Sequence, residues 1–348
     1  MKKHWLAALV LVALLAAGCG GGGGADTSEG GSAEGTQASS TRKGPDLDNR
    51  EGNEIATMWV AMDGFDSAET VSFLVAEKRG YFGRVRISPL TLSPVTPRLT
   101  IPDVVKGQDV VGVASGPEAV AARGRGAPIV VVGNVLQRAT AALIWTKESG
   151  ITGIADLKGK TIAIPGLSSQ RSLLENILAS EGLDPADVKV ISAGNDLVPA
   201  VVKGRADAIF GGSGNVEGID LRSRGFQPVV TPVTALGAPD YDELVLVARE
   251  DVAEANPKLM RDFVSAVARG AAAATEEPGA ATRALQGSGE KNPEISRPAM
   301  KAQVDATVGM LSGSGRVDPT RLQRLIDWMS ENKMIEADYP AEELLPGS

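Results

Sequence analysis

The chain is short of three side chains on which much protein chemistry depends. Of its 348 residues one is cysteine and one is histidine, and aromatic residues make up only 4%. The lone Cys19 excludes a disulfide or a thiolate metal site within the chain. His4 is the only imidazole, and it lies in an N-terminal segment that reads as a removable leader. The remainder therefore holds no His-based triad and no His–metal site. A basic excess is lacking too. Lysine and arginine number 35 against 43 acidic residues, a net charge of −8, which argues against a nucleic-acid binder. Two enzyme signatures come close and fail. Gly153–Thr161 resembles a P-loop, but its glycines are one residue too far apart and it precedes a strand pattern instead of following one. Gly211–Asn215 resembles a nucleophile elbow, but asparagine stands at the last glycine position. Nothing in the spacing of the carboxylates supports a glycosidase-like pair. The chain is read as a non-enzyme that needs no cofactor and no metal.

What is present begins at the N-terminus. Lys2 and Lys3 precede an apolar run from Trp5 to Ala17, shorter than the roughly 20 residues of a spanning helix. The run ends in Ala16-Ala17-Gly18-Cys19, so residues 1–18 read as a signal peptide. Small residues before Cys19 resemble a bacterial lipobox, in which that cysteine is lipidated; an ordinary secretory cleavage site is the alternative. Residues 19–54 are Gly-rich and almost without apolar side chains, so they cannot bury enough surface to fold. As a flexible tether of that length they reach about 30–35 Å. The expected order is signal, lipid site, tether and globular domain, an exported protein held at the outer face of a bacterial membrane.

The globular region repeats a phrase. Residues 104–120 read VVKGQDVVGVASGPEAV and residues 201–218 read VVKGRADAIFGGSGNVEG. Each predicts a helix end closed by Lys then Gly, a short apolar strand, a small-residue strand end and a new helix. The strands, Val110–Val113 and Ala208–Phe210, read as buried members of parallel sheets. Ligands of open α/β sheets bind beyond the carboxyl ends of strands. The repeat therefore predicts two similar α/β lobes that each offer a Gly-rich strand end. Strand and helix patterns alternate up to ELVLVARE, residues 243–250, and helices follow, broken at Pro278–Gly279 and Gly313–Gly315. That order predicts an α/β fold of doubly wound sheets with C-terminal helices packed on them.

The residues Asp196-Leu197-Val198-Pro199-Ala200, Asp207-Ala208-Ile209, Gly211-Gly212 and Asn215-Val216-Glu217-Gly218-Ile219 then supply a resemblance. With Gly80-Tyr81-Phe82, Pro117-Glu118, Asp156–Lys160 and Pro239-Asp240-Tyr241, they are similar to ABC-importer substrate-binding proteins for the thiamine pyrimidine precursor. That branch belongs to a wider group binding sulfonates, taurine and nitrate. The resemblance covers about residues 58–335. It implies a two-lobed type II periplasmic-binding-protein fold, lobe 1 from 55–138 and 237–348, lobe 2 from 139–236, with the ligand in the cleft. It also implies a monomer that captures a small solute by hinge closure and docks on a membrane permease. Alternatives are a receptor for an anion, such as an alkylsulfonate, taurine or nitrate, and a ligand sensor for a membrane partner. Eukaryotic relatives of this fold make the thiamine pyrimidine from their own histidine, which a chain without a mature histidine cannot supply. Two departures stand out. Ser213-Gly214 replaces an aromatic pair of the pyrimidine branch, and Met62–Glu69 replaces a loop containing Trp, Pro, Asn and His.

The candidate ligand residues follow from strand ends and crossovers. Glu217 is either an acceptor for the N–H groups of an aminopyrimidine or a helix-start acid. Asn215 and Ser213 lie beside it, and Ser115 and Glu118 hold the matching place in the first phrase; caps are the alternative for Asn215, Ser115 and Glu118. Asp63, Phe65, Asp66 and Glu69 follow the first strand, and Phe65 either stacks on a ligand or staples the next helix. Gln137 and Arg138 lie near the first expected crossover, and Tyr241 near the second is either a ligand contact or a buried hinge tyrosine. Ser168 opens a helix that either holds an anion or is simply capped.

Overall fold

The computed structural model describes residues 56–62, 64–92, 100–289, 291–292, 294–336 and 338–347. The expected leader, Cys19, its tether and Asp63 lie outside the described residues.

Among the described residues ten strands form two five-stranded sheets. The first contains β1 (Ala56–Ala61), β2 (Ile87–Leu92), β3 (Val111–Ser115), β4 (Ile129–Leu136) and the late strand β10 (Leu244–Arg249), in the order β2-β1-β3-β10-β4. The second contains β5 (Ala141–Thr146), β6 (Thr161–Ile164), β7 (Lys189–Ser192), β8 (Ala208–Ser213) and β9 (Pro228–Pro232), in the order β7-β6-β8-β5-β9. The chain passes between the sheets after β4 and again before β10.

The repeated phrase explains this near-symmetry. In each copy a short helix ends at Val-Val, Lys follows, and a glycine takes positive φ: Gly107 at 71° and Gly204 at 66°. Only glycine adopts that conformation without a steric penalty. The next strand, β3 or β8, is the central strand of its sheet. The helices that follow are Gly116–Gly124 and Glu217–Ser223. One expectation needs correction. The two strands do not lie in parallel sheets; β3 and β8 are parallel to β1 and β6 on one side and antiparallel to β10 and β5 on the other. Each sheet therefore carries one strand that reverses direction, and that strand adjoins a crossover.

The Pro257–Glu276 helix packs its apolar face on the first sheet. Leu259, Met260, Phe263, Ala266 and Val267 are buried at helical spacing, and Phe263 stacks on Phe82 with centroids 5.6 Å apart. Its partner is the helix Val71–Lys78, and the two backbones nearly touch at Gly270. A Cβ there would lie 2.1 Å from the Ser72 carbonyl oxygen and 2.9 Å from the Ala76 Cβ. The Gly270→Ala variant must force these helices apart, so its stability should fall by about 2–3 kcal/mol. Urea denaturation reads this directly, and an unchanged midpoint would mean that the helix pair can separate freely.

Candidate functional site

Where the two sheets present their strand ends to each other lies a cavity of about 520 Å³. Lobe 1 contributes Phe65, Asp66, Glu69 and Ser115; the crossovers contribute Thr140, Ala141 and Glu243. Lobe 2 contributes Gly166, Gln170, Asn195, Ser213 and Glu217. The C-terminal segment closes one side with Lys291, Asn292, Ile295, Met300 and Gln303.

Local sequence explains the lobe 2 wall. Gly211 has φ 82°, and a Cβ on it would meet the Gln170 side chain at 2.9 Å. A Cβ on Gly212 would sit 3.0 Å from the Glu217 Cγ. These glycines let Glu217, the first residue of its helix, fold back over the end of β8. Its Oε2 then accepts from the Ser213 N–H at 2.7 Å and the Ser213 hydroxyl at 3.3 Å. Gly64, with φ 111°, plays a similar part across the cleft, where a Cβ would meet the Asn195 Oδ1 at 2.9 Å.

Glutamates dominate the charge of the cavity. Glu243 accepts through Oε2 from the N–H groups of Thr140 at 2.8 Å and Ala141 at 2.9 Å. Glu69 accepts through Oε1 from the Thr140 hydroxyl and from the Asn215 Nδ2, both at 3.0 Å. Burial pushes the Glu217 and Glu243 carboxyls up to about 7, and the nearby charge of Glu69 pushes both the same way. Burial also raises Glu69, against the hydrogen bonds of Asn215, Thr140 and Ser213. Asp66 is raised by burial and partly relieved by its hydrogen bond from Ser288. Lys291 is the only basic residue lining the cavity among the described residues, and its Nζ donates to the Ser288 carbonyl at 2.6 Å. Two further groups offer polar contacts: the Gln170 Oε1 and the Asn195 Nδ2 are buried with no hydrogen-bond partner in the protein. Among the described residues no group of three or more His, Cys, Asp or Glu could hold a metal ion, and no helix is long and apolar enough to cross a membrane.

The structure brings Glu217, Ser213, Ser115, Phe65, Asp66 and Glu69 together in the cavity wall. The other described candidates stand elsewhere. Asn215 lies behind the wall, donating to Glu69 and, at 2.8 Å, to the Thr307 hydroxyl. Glu118 is buried, pairs with Arg125 at 3.1 Å, and accepts from the Ser169 N–H of the opposite lobe at 3.2 Å. Ser168 is exposed and caps nothing; its helix, Ser168–Ser180, has no side-chain cap of its own and borrows Glu118. Gln137 is half-buried beneath the crossover, where its Nε2 donates to the Leu311 carbonyl at 3.4 Å. Tyr241 is buried below the cavity, beside a water-sized void it shares with Ser169, Gln170 and Glu243. Glu243, Thr140, Asn195 and the whole C-terminal wall were not among the candidates that the sequence suggested. An acid directly before an apolar strand was the one available signal for Glu243.

A family model described as NMT1/THI5 like matches residues 67–281. The formylaminopyrimidine-binding protein of Halalkalibacterium halodurans is 24% identical over 294 residues, covering 83% of this chain and 89% of that protein. The 4-amino-5-hydroxymethyl-2-methylpyrimidine phosphate synthase of Legionella pneumophila is 27% identical over 210 residues, covering 59% of this chain and 65% of that one. Among solved structures, the alkanesulfonate-binding protein of Xanthomonas axonopodis pv. citri bound to MOPS superposes with a TM-score of 0.66 at 17% identity, covering 84% of this chain and 98% of that one. That likeness places the fold among periplasmic binding proteins.

The raised carboxyls set a pH dependence. Both Glu217 and Glu243 rise from an ordinary 4.5 to about 7 in the fold. Their contribution is fully favourable below 4.5 and is lost as pH climbs towards 7, because burying the ionised form then opposes folding. The melting temperature of the unliganded protein should therefore fall between pH 5 and pH 8. The Glu217→Gln variant should flatten that decline; an equally steep decline would mean that Glu217 ionises normally inside the fold.

Proposed function

The chain belongs to the NMT1/THI5-like family, and from that premise we propose that it is the solute-binding component of an ABC importer, taking a nitrogenous small molecule of the aminopyrimidine type. The observation that carries this reading is the Glu217 carboxylate. One oxygen is held by Ser213, and the side chain lines an interlobe cavity, so the other is placed to accept N–H groups from a solute. The name of the Halalkalibacterium relative points to the same ligand chemistry. A binding role, not a catalytic one, suits a chain whose one histidine lies in the expected leader, although other relatives are named as synthases.

The mechanism is hinge closure. Solute binds between the lobes and stabilises the closed arrangement by its greater affinity for it. An anionic solute fits less well. The helix start at Ser168–Ser169, the natural anion cradle, is already served by the Glu118 carboxylate, and the wall carries Asp66, Glu69, Glu217 and Glu243 against one lysine among the described residues. We place the protein outside the cytoplasm, lipid-anchored through Cys19, as a monomer that meets its permease in the closed state.

Two experiments check this. A thermal-shift assay with 4-amino-5-hydroxymethyl-2-methylpyrimidine, taurine and MOPS should show stabilisation by the pyrimidine alone, about 2.7 kcal/mol at 100 times the dissociation constant. The Glu217→Ala variant should bind it at least roughly tenfold more weakly. Stabilisation by taurine or MOPS alone would refute the solute class. Separately, Cys19→Ser should move the protein from the membrane fraction to the soluble one; retention on the membrane would remove the lipid anchor from the scheme.

A further inference from the structure

Glu69 joins lobe 1 to the first crossover and to lobe 2. It lies beside Thr70, which precedes the lobe 1 helix Val71–Lys78. Its Oε1 accepts from Thr140 in the first crossover and from Asn215 of lobe 2. Asn215 also reaches Thr307 at the end of the C-terminal helix Arg297–Thr307, whose Gln303 Nε2 donates to the Val216 carbonyl at 3.0 Å. These bonds fasten lobe 2 to lobe 1 and can exist only when the cleft is closed. As a set of hydrogen bonds, Glu69 favours closure.

As a charge, Glu69 opposes it. Closure brings Glu217 of lobe 2 up to Glu69 of lobe 1 and Glu243 of the crossover, in one cavity wall where burial raises all three carboxyls. The remaining charged groups on the described wall are Asp66, which adds a fourth carboxylate, and Lys291. The ammonium of Lys291 is directed to the Ser288 carbonyl, and among the described residues none of the three glutamates forms an ion pair with it. Backbone, hydroxyl and side-chain amide donors satisfy one oxygen of each glutamate, yet dipoles do not cancel net charge.

We propose that Glu69 is the positioning residue that makes closure conditional on the uptake of positive charge, so that the preferred solute is a protonated nitrogen base, with a proton as its substitute when no solute is bound. This rests on the hinge-closure reading and narrows its solute class. It also assigns two separable roles to one side chain, since the hydrogen bonds from Thr140 and Asn215 that join the lobes fall on a single oxygen that a glutamine would keep.

The test uses the unliganded full chain and small-angle scattering between pH 8 and pH 5. The wild-type radius of gyration should fall as pH drops through the window from about 7 to 4.5, the interval over which the closed form takes up protons. The Glu69→Gln variant keeps the latch and removes the charge, so it should already be compact at pH 8 and respond less to pH. Glu69→Ala loses the latch and should be more open than wild type throughout. Asn215→Ala, which leaves every carboxylate in place, should be open at pH 8 yet still contract on acidification. If the Gln and Ala variants shift in the same direction, Glu69 is merely structural and the proposal falls. A wild-type radius that ignores pH also overturns it, while leaving pyrimidine binding untouched. Loss of pyrimidine binding with the pH response intact would refute the solute assignment alone.

Discussion

The pivot of the molecule is the Glu243 side chain. Its carboxylate accepts two backbone N–H groups from Thr140 and Ala141, where the first crossover enters β5, and its own carbonyl accepts from the Gly116 N–H at 3.1 Å. One residue at the end of the second crossover thus holds the end of the first, and also the helix start that follows β3. From the other side Arg321 pairs with Asp242 at 2.8 Å and donates to the Gln137 carbonyl. Both passages between the lobes are therefore gripped at the same level. A buried carboxylate is tolerable only when donors replace water. Two N–H groups replace some of that water, and the deficit appears as a carboxyl raised to about 7. The crossovers and the cavity wall in this way share one residue.

The two copies of the repeated phrase end differently, and the difference makes the cleft asymmetric. In lobe 1 the strand ends at Ser115, whose hydroxyl caps the next helix by accepting from the Glu118 N–H at 3.3 Å. Glu118 then turns away from the cavity to Arg125 and to the helix start of the opposite lobe. A Cβ at Gly116 would strike the Asp242 carbonyl oxygen at 2.4 Å, so that helix start also packs directly on the second crossover. In lobe 2 the extra glycines let the acid turn inward instead. The same local grammar therefore yields an interlobe cap on one side and a cavity carboxylate on the other.

The C-terminal region does more than cover the first sheet. Between the helices Pro278–Gln286 and Arg297–Thr307 it runs along the cavity and supplies Lys291, Asn292 and Ile295, and the second helix adds Met300 and Gln303. Its apolar residues Ile295 and Met300 line the cavity, with Phe65 as the only aromatic ring on the described wall.

The sequence by itself determined the alternation of elements, the doubling of the helix–strand–helix phrase and the glycine-rich strand ends. Each follows from local rules: positive φ after a helix, apolar runs for buried strands, small residues where a side chain must fold back. Glu217, Ser213, Ser115, Phe65 and Asp66 were legible because they stand within a few residues of those strand ends. Tertiary structure decided the rest. That β5 and β10 run antiparallel to their central neighbours depends on the crossovers, which no local pattern encodes. That Glu118 caps a helix in the other lobe, that Asn215 spans to Glu69 and Thr307, and that Gln303 reaches back to Val216 all depend on segments from 51 to 146 residues apart. Charge was countable from the sequence; only the fold could bury Glu69, Glu217 and Glu243 beside one another, and that burial, with the charge of Glu69 added for the other two, raises their carboxyls.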